Sequence, residues 1–281
     1  MQFPKTIVLG ATGRIGMILR KCWDQRAISW QTRKPRAGAG WVVVDPLGEP
    51  EALKRAADGC AAILCLAGVV PGRSGAGAMA DNIALAEAAL RAAAPGTRVL
   101  LASSAAVYGA TPGLLHEDCP PAPLSDYGRA KAAMERRGAE LGAARGVAVT
   151  ALRIGNVAGV DAILGGWAPG FRLDQFPDGR TPRRSYIGVQ TLARVLRDLI
   201  TASDLPDVLN VAAPGGIEMG ALLDAANLGW TPRAAPDTAI ADVQLCTGRL
   251  AQFTGFTATD SEAATMVRQW RETGSDTGQK A

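Results

Sequence analysis

A chain of 281 residues that is 48% hydrophobic and 20% charged is long enough to bury a sizeable core, as one large α/β unit or two closely packed lobes. Its 30 basic residues are interleaved with 26 acidic ones for a net charge of only +4, which argues against nucleic acid as a partner because no basic face tracks a phosphate backbone. The opening MQFPKTIVLGATG holds only the apolar run Ile7-Val8-Leu9, and nowhere do about 18 apolar residues follow one another; no secretion signal or membrane span is expected, and a cytoplasmic protein is.

In chain order, the pattern predicts a strand over Thr6–Leu9, a helix over Arg14–Trp23, strands over Ile28–Thr32 and Trp41–Val44, a helix over Glu49–Ala57 and a strand over Ala62–Leu66. A helix follows over Ala76–Ala94, with Met79, Ile83, Leu85 and Leu90 at helical spacing and Pro95-Gly96 as its stop. Then come a strand over Val99–Ala102, a helix over Asp126–Ala144, a strand over Val147–Leu152, a helix over Val189–Thr201 and a strand over Val208–Val211. This alternation is that of parallel strands joined by crossover helices, so the fold class is α/β, a Rossmann-type doubly wound parallel sheet. Residues 159–184 are rich in Gly, Pro and Arg without periodicity, and the chain after Pro214 reads as short helices and turns. The expected organisation is a dinucleotide-binding domain of residues 1–158 and 185–213, with a small discontinuous C-terminal substrate lobe of residues 159–184 and 214–281.

Five cysteines, Cys22, Cys60, Cys65, Cys119 and Cys246, form no C-x-x-C pair and read as reduced thiols. His116, the single histidine, leaves no multi-histidine metal site and reads as an ordinary loop residue beside Glu117 and Asp118; no metal is expected.

Gly10-Ala11-Thr12-Gly13-Arg14-Ile15-Gly16 joins the first strand to the first helix. Glycines there permit a tight turn and let backbone N–H groups at a helix start approach a pyrophosphate, so these residues are dinucleotide-binding candidates; a plain strand-to-helix turn is the alternative. An NAD site of this fold offers a carboxylate about 20 residues on. From Gln25 to Val44 there is no Asp or Glu, and the second strand ends Gln31-Thr32-Arg33-Lys34-Pro35-Arg36. Arg33 and Lys34, with Arg14 in the glycine turn, suit a 2′-phosphate, which favours NADP over NAD. Asp45, closing the third strand, is placed to face the adenine amino group, or equally to open a turn before Pro46.

Tyr127 and Lys131 stand four residues apart on one face of a predicted helix start. A neighbouring cation favours a phenolate and lowers the phenol's pKa, which suits proton transfer; a surface pair on the helix would look the same. Ser103 and Ser104 close the strand Val99–Ala102 at the carboxyl edge of the sheet, where open α/β folds bind ligands and a hydroxyl can bond a reacting oxygen.

With these residues in view the chain resembles a known family. GATGRIG, LLASSAAVYG, the loop His116-Glu117-Asp118-Cys119-Pro120-Pro121, YGRAK and Leu152-Arg153-Ile154-Gly155-Asn156-Val157 resemble the NAD(P)-dependent epimerase/dehydratase family, the extended short-chain dehydrogenases/reductases, over about residues 5 to 215. The resemblance implies that Ser104, rather than Ser103, orients the substrate, that Tyr127 is the acid/base, and that Lys131 tunes it and bonds the nicotinamide ribose. It implies that Ala67 and Gly68 pass close to the cofactor; Asn82 matches a structural asparagine, or is a plain helix residue. Where similar 4,6-dehydratases carry an acidic pair, this chain has Ala105 and Ala106, which argues against dehydration.

The leading expectation is an NADP(H)-dependent oxidoreductase acting at a carbonyl or secondary alcohol, with a sugar or sugar nucleotide as one candidate substrate. Alternatives are a nucleotide-sugar epimerase that keeps its cofactor bound, and a non-catalytic NADP-sensing protein. Trp167, Phe171 and Phe176 with Arg172, Arg180, Arg183 and Arg184 suit a phosphorylated ligand, or equally packed aromatics and solvated arginines. Similar proteins often dimerise through the helix bearing the Tyr-Lys pair, whose alanines and methionine permit close packing, which leaves a homodimer open.

Overall fold

A computed structural model describes residues 3–23, 26–70 and 79–274 of the chain. In its first half, β1 (Thr6–Leu9), α1 (Arg14–Cys22), β2 (Ile28–Thr32), β3 (Trp41–Val43), α2 (Pro50–Ala57), β4 (Ala62–Cys65), α3 (Asp81–Ala92), β5 (Arg98–Ser104), β6 (Gly113–Leu115) and α4 (Asp126–Arg145) follow in order. Then come β7 (Ala148–Ile154), β8 (Asn156–Val157), β9 (Arg172–Gln175), β10 (Arg183–Arg184), β11 (Tyr186–Ile187), α5 (Val189–Thr201) and β12 (Val208–Val211). The chain closes with β13 (Ile217–Glu218), α6 (Met219–Ala225), β14 (Thr231–Ala234), β15 (Asp242–Leu245) and α7 (Ala263–Thr273).

Seven strands form one parallel sheet in the order β12-β7-β5-β4-β1-β2-β3. β1 lies between β4 and β2, with Val8 opposite both Leu64 and Trp30, so the strand order reverses at β1 as in a doubly wound sheet. TIVL and AILC are buried at every position, because helices cover both faces of such a sheet. One face packs Ile7, Leu9, Ile63, Val99 and Leu101 against Leu53 of α2, Ala89 and Leu90 of α3 and Met134 of α4. Each such side chain contributes roughly 1.5–3 kcal/mol on leaving water.

Local chemistry sets the helix limits. Pro50, whose fixed φ suits a first turn, opens α2. α3 is observed as Asp81–Ala92 where the sequence predicts 76–94, and residues 76–78 lie outside the described residues. Its end falls at Ala93, because Ala94 precedes Pro95 and a residue before proline is driven from the helical region. α4 lies close on the sheet because a Cβ at Gly138 would come within 2.6 Å of Leu101 Cδ1, and one at Gly142 within 2.4 Å of Val149 Cγ2.

The described chain forms two compact units, one of residues 1–109, 121–153 and 196–209, the other of residues 110–120, 154–195 and 210–281, less the undescribed positions. Residues 110–120, 154–158, 185–195 and 210–213, read from sequence with the dinucleotide domain, group with the second unit. Their pairings take them there: β6 with β15, and β8 with β11. The second unit carries a four-stranded sheet, β13-β10-β15-β6, two strand pairs, and a core of Leu164, Leu173, Tyr186, Leu222, Leu223 and Met266. Asp161 orders the Gly- and Pro-rich stretch: its buried carboxylate accepts the N–H groups of Gly159, Ile163 and Leu164, each at 3.2 Å, and the Tyr186 hydroxyl at 3.0 Å. The expectation of helices and turns after Pro214 is corrected by β13, β14 and β15, which are short and paired to distant residues rather than patterned.

Candidate active site

Gly10 turns with φ at 76°, and a Cβ there would lie 2.5 Å from the Ala67 nitrogen. Only glycine lets the turn after β1 rest on the segment after β4. Gly16 is constrained in the same way by Ala11, whose Cα would stand 2.6 Å from an added Cβ. Gly13 donates its N–H to Gly10 O at 2.9 Å and begins α1 with no side-chain cap and no acid in the first turn. The glycine cap brings no side-chain acceptor of its own to that first turn, and Thr12, Gly13 and Arg14 are exposed with Ile15 half-buried. An open helix start of this kind, backed by a cradle that a Cβ would fill, fits a pyrophosphate.

Beyond β2, Arg33 and Lys34 are exposed, and among the described residues no ion pair to either is seen. Arg36 is placed differently: its guanidinium lies 5.8 Å from the Trp41 ring centroid, and Arg20 stacks on the same ring at 4.2 Å. Asp45 accepts the Leu47 N–H at 3.2 Å, the turn that the sequence left open as its alternative role.

Ser125 caps α4, its Oγ accepting the Gly128 N–H at 3.0 Å. A Cβ at Gly128 would lie 2.5 Å from Ala106 O, so α4 begins against the 3-10 turn Ala105–Tyr108 that follows β5. Ser104 caps that turn by accepting the Ala106 N–H at 3.2 Å. These two caps set the Ser104 hydroxyl beside that of Tyr127, where it favours the ionised phenol. One helical turn further on, Lys131 Nζ sits 5.8 Å from the Tyr127 ring centroid, donates to Ala102 O at 2.8 Å, and is 4% exposed. Gly68 fits between Lys131 and Asn82: an added Cβ would meet Lys131 Nζ at 3.1 Å and Asn82 Oδ1 at 2.8 Å. Asn82 is fully buried and clips the segment after β4, bonding Val69 N and Val69 O at 3.2 Å and Met79 O at 3.1 Å, so it is more than a plain helix residue.

The electrostatics correct one expectation. The Tyr127 phenol stands above its ordinary value because burial penalises the phenolate; the Ser104 hydrogen bond and the Arg14 guanidinium pull it down less strongly. Burial lowers the Lys131 ammonium to about 8, opposed by Cys65 and Glu135. Arg14 is a nearby cation that eases phenolate formation.

A family model described as the NAD dependent epimerase/dehydratase family matches residues 6–212. The chain belongs to this family. UDP-glucose 4-epimerase of Azospirillum brasilense is 40% identical over 83 residues, which span 29% of this chain and only 23% of that protein. A short-chain dehydrogenase/reductase superfamily protein from Agrobacterium tumefaciens, solved with bound NAD, aligns with a TM-score of 0.73 at 19% identity, covering 95% of this chain and 98% of that one. UDP-glucose 4-epimerase of Thermus thermophilus, solved with NAD, aligns with a TM-score of 0.68 at 19% identity over 95% and 98% of the two chains. At these identities the likeness of the solved structures is one of fold.

Behind the site, this family member carries a buried polar network that sequence reasoning did not single out. Arg153 and Glu135, 4% and 8% exposed, are joined by Nη2 to Oε2 at 2.8 Å and Nε to Oε1 at 3.1 Å. Ser103 donates to Glu135 Oε1, and Arg153 Nη1 donates to the Tyr108 hydroxyl at 2.9 Å. Ser103 thus belongs to the core. The available signal was Glu135 four residues after Lys131, one helical turn along the same face.

In the second unit, Arg180, Arg183 and Arg184 are held by the protein itself, while Arg172 is exposed. Arg184 Nη1 donates to Arg183 O and Nη2 to Ile240 O, each at 2.8 Å, while Arg183 Nε donates to Gly216 O at 3.1 Å. Arg180 pairs with Asp178 at 2.6 Å, and Trp167 Nε1 donates to Gly229 O at 2.9 Å. Phe176, Arg180 and Arg183 share a shallow pocket with Thr181, Glu218 and Asp242.

Proposed function

We propose that the chain is an NADP(H)-dependent oxidoreductase of the extended short-chain type, interconverting a carbonyl and a secondary alcohol on a small molecule. The observation that carries this reading is the Ser104–Tyr127 hydroxyl pair, with Lys131 one turn behind, at the carboxyl edge of β5. When bound, the nicotinamide supplies or accepts the hydride. Tyr127 gives its proton to the substrate oxygen in reduction and takes it back in oxidation, while Ser104 orients the same oxygen. Lys131, anchored on Ala102 O, keeps its remaining donors for the ribose.

Gly10, Thr12, Gly13, Arg14, Ile15 and Gly16 are assigned to the pyrophosphate, Ala67 and Gly68 to the passage of the cofactor beside β4, and Asp45 to the adenine edge. Arg33 and Lys34 are assigned to the 2′-phosphate, supported by their exposure and by the lack of any Asp or Glu from Gln25 to Val44. Solved relatives hold NAD, so dissociation constants for NADPH and NADH are the deciding measurement; charge-assisted bonds to a phosphate predict NADPH tighter by about ten- to a hundredfold.

A second reading, a nucleotide-sugar epimerase, is favoured by the stretch shared with UDP-glucose 4-epimerase. A panel of ketones, aldehydes and sugar nucleotides, followed with both cofactors, separates the two. Consumption of one NADPH per product supports the oxidoreductase; product formed with no net change in nicotinamide absorbance supports the epimerase. Cofactor binding with no turnover on any substrate would favour a sensing protein.

Among the described residues no helix is long and apolar enough to cross a membrane, and we place the enzyme in the cytoplasm. A homodimer through α4 would have to use its exposed side chains, because Met134 is 2% exposed and Gly138 and Gly142 already seat on Leu101 and Val149.

A further inference from the structure

β2 is buried at Trp30, Gln31 and Thr32, and a parallel strand covered on both faces ordinarily carries apolar side chains throughout. Gln31 breaks that pattern with a primary amide on a residue that is 4% exposed. Burial of an amide is unfavourable unless protein bonds replace those to water, and both halves of this one are engaged. Its Oε1 accepts the Gly10 N–H at 2.9 Å, and its Nε2 donates to Val44 O at 2.8 Å.

The location of these bonds gives them a purpose. Paired residues between β1 and β2 end at Val8 with Trp30, and those between β2 and β3 end at Thr32 with Val43. Gln31 continues the stitching past both ladders, tying the first residue of the glycine turn to the end of β3. Gly10 is confined on another side by Ala67, so the turn that presents the open start of α1 is held between two neighbours. Arg33 and Lys34 follow Gln31 by two and three residues, in the exposed bend that begins where β2 ends.

We infer that Gln31 is a positioning residue for the dinucleotide, fixing the separation between the glycine turn and the Arg33–Lys34 cations so that one ligand engages both. This rests on the cofactor reading above. A ligand with phosphates at two points binds more tightly when both receptors are already set at its own spacing, since less ordering is left to occur on binding. NADPH has the second phosphate and NADH lacks it, so loss of Gln31 acts more on the first than on the second.

The test is a double-mutant cycle of Gln31→Met and Arg33→Ala, read as dissociation constants for NADPH and NADH by fluorescence titration, alongside thermal unfolding without ligand. Loss of the two bonds is expected to weaken NADPH about three- to tenfold, to weaken NADH less, and to make Arg33→Ala less damaging in the Gln31→Met background than in the wild type. A Gln31→Met protein that unfolds at lower temperature yet keeps the wild-type ratio of dissociation constants, or a cycle that adds up without coupling, overturns the inference and leaves Gln31 a core residue only. Wild-type protein that binds neither dinucleotide instead removes the cofactor reading itself, and the inference with it.

Discussion

Tyr127 is a poor acid in water, and partial burial makes it poorer; in the proposed role its company offsets this. The Ser104 hydroxyl and the Arg14 charge both favour its ionised form. Ser104→Ala is therefore expected to lower kcat/KM by about a hundredfold, the usual worth of a group that orients proton transfer, with NADPH affinity within about twofold of wild type. Lys131 gives a prediction for stability. Its ammonium titrates near 8 in the folded chain against 10.5 ordinarily, so between those values the unfolded chain holds a proton that the folded chain has released. Stability from this residue rises with pH through that window, and below about pH 8 the folded protein carries a buried charge. Urea unfolding from about pH 7 to 9 should show a steeper rise for wild type than for Lys131→Met. Cys65, pushed up to about 11 from 9.0 by burial, acts in the opposite sense, its effect setting in at the upper end of that range. Equal slopes in the two proteins would show that Lys131 is not held as described.

At the scale of elements, the site depends on α4 lying close to β5. Alanine in place of a helical glycine ordinarily gains up to about 1 kcal/mol. At Gly142 the new Cβ would stand 2.4 Å from Val149 Cγ2 and 3.0 Å from Val147 O, so overpacking wins. Gly142→Ala is expected to destabilise by about 1–3 kcal/mol in denaturant unfolding. The Arg153–Glu135 pair pins the same helix to β7. Arg153→Met leaves a buried carboxylate unpaired and should lose about 3–5 kcal/mol, whereas adding Glu135→Leu should restore part of it. Elements of this kind were legible where pattern and contact agree: TIVL, ISWQT and VLNV are runs of strand length rich in β-branched or apolar residues, and their limits are as read. β14, with the sequence TPRA, is exposed along its length and contains a proline; it is a strand only because β9 lies beside it, and no local signal foretells that.

Over the whole molecule, a chain of short strands and crossover helices announces its sheet because each element must bury a face. The grouping into two units is harder to read, since it depends on β6, β8 and β10, each two or three residues long, and on partners more than a hundred residues away in the case of β6. The same holds at the site. Ser104, Tyr127 and Lys131 could be named from spacing and resemblance, while Gln31, Glu135 and Arg153 gain meaning only from what touches them. If the dinucleotide binds the folded chain alone, NADPH at about a hundred times its Kd should stabilise the protein by about 2.7 kcal/mol, and NADH at the same concentration by less. Thermal unfolding against ligand concentration checks both.

The most direct measurement of the central claim is turnover and NADPH affinity of Tyr127→Phe beside wild type, on whichever substrate the panel identifies. Loss of the phenolic oxygen alone should reduce kcat by at least about a hundredfold while the dissociation constant for NADPH stays within about threefold. Turnover at the wild-type rate would contradict the account, because the proton would then be moving through some other group.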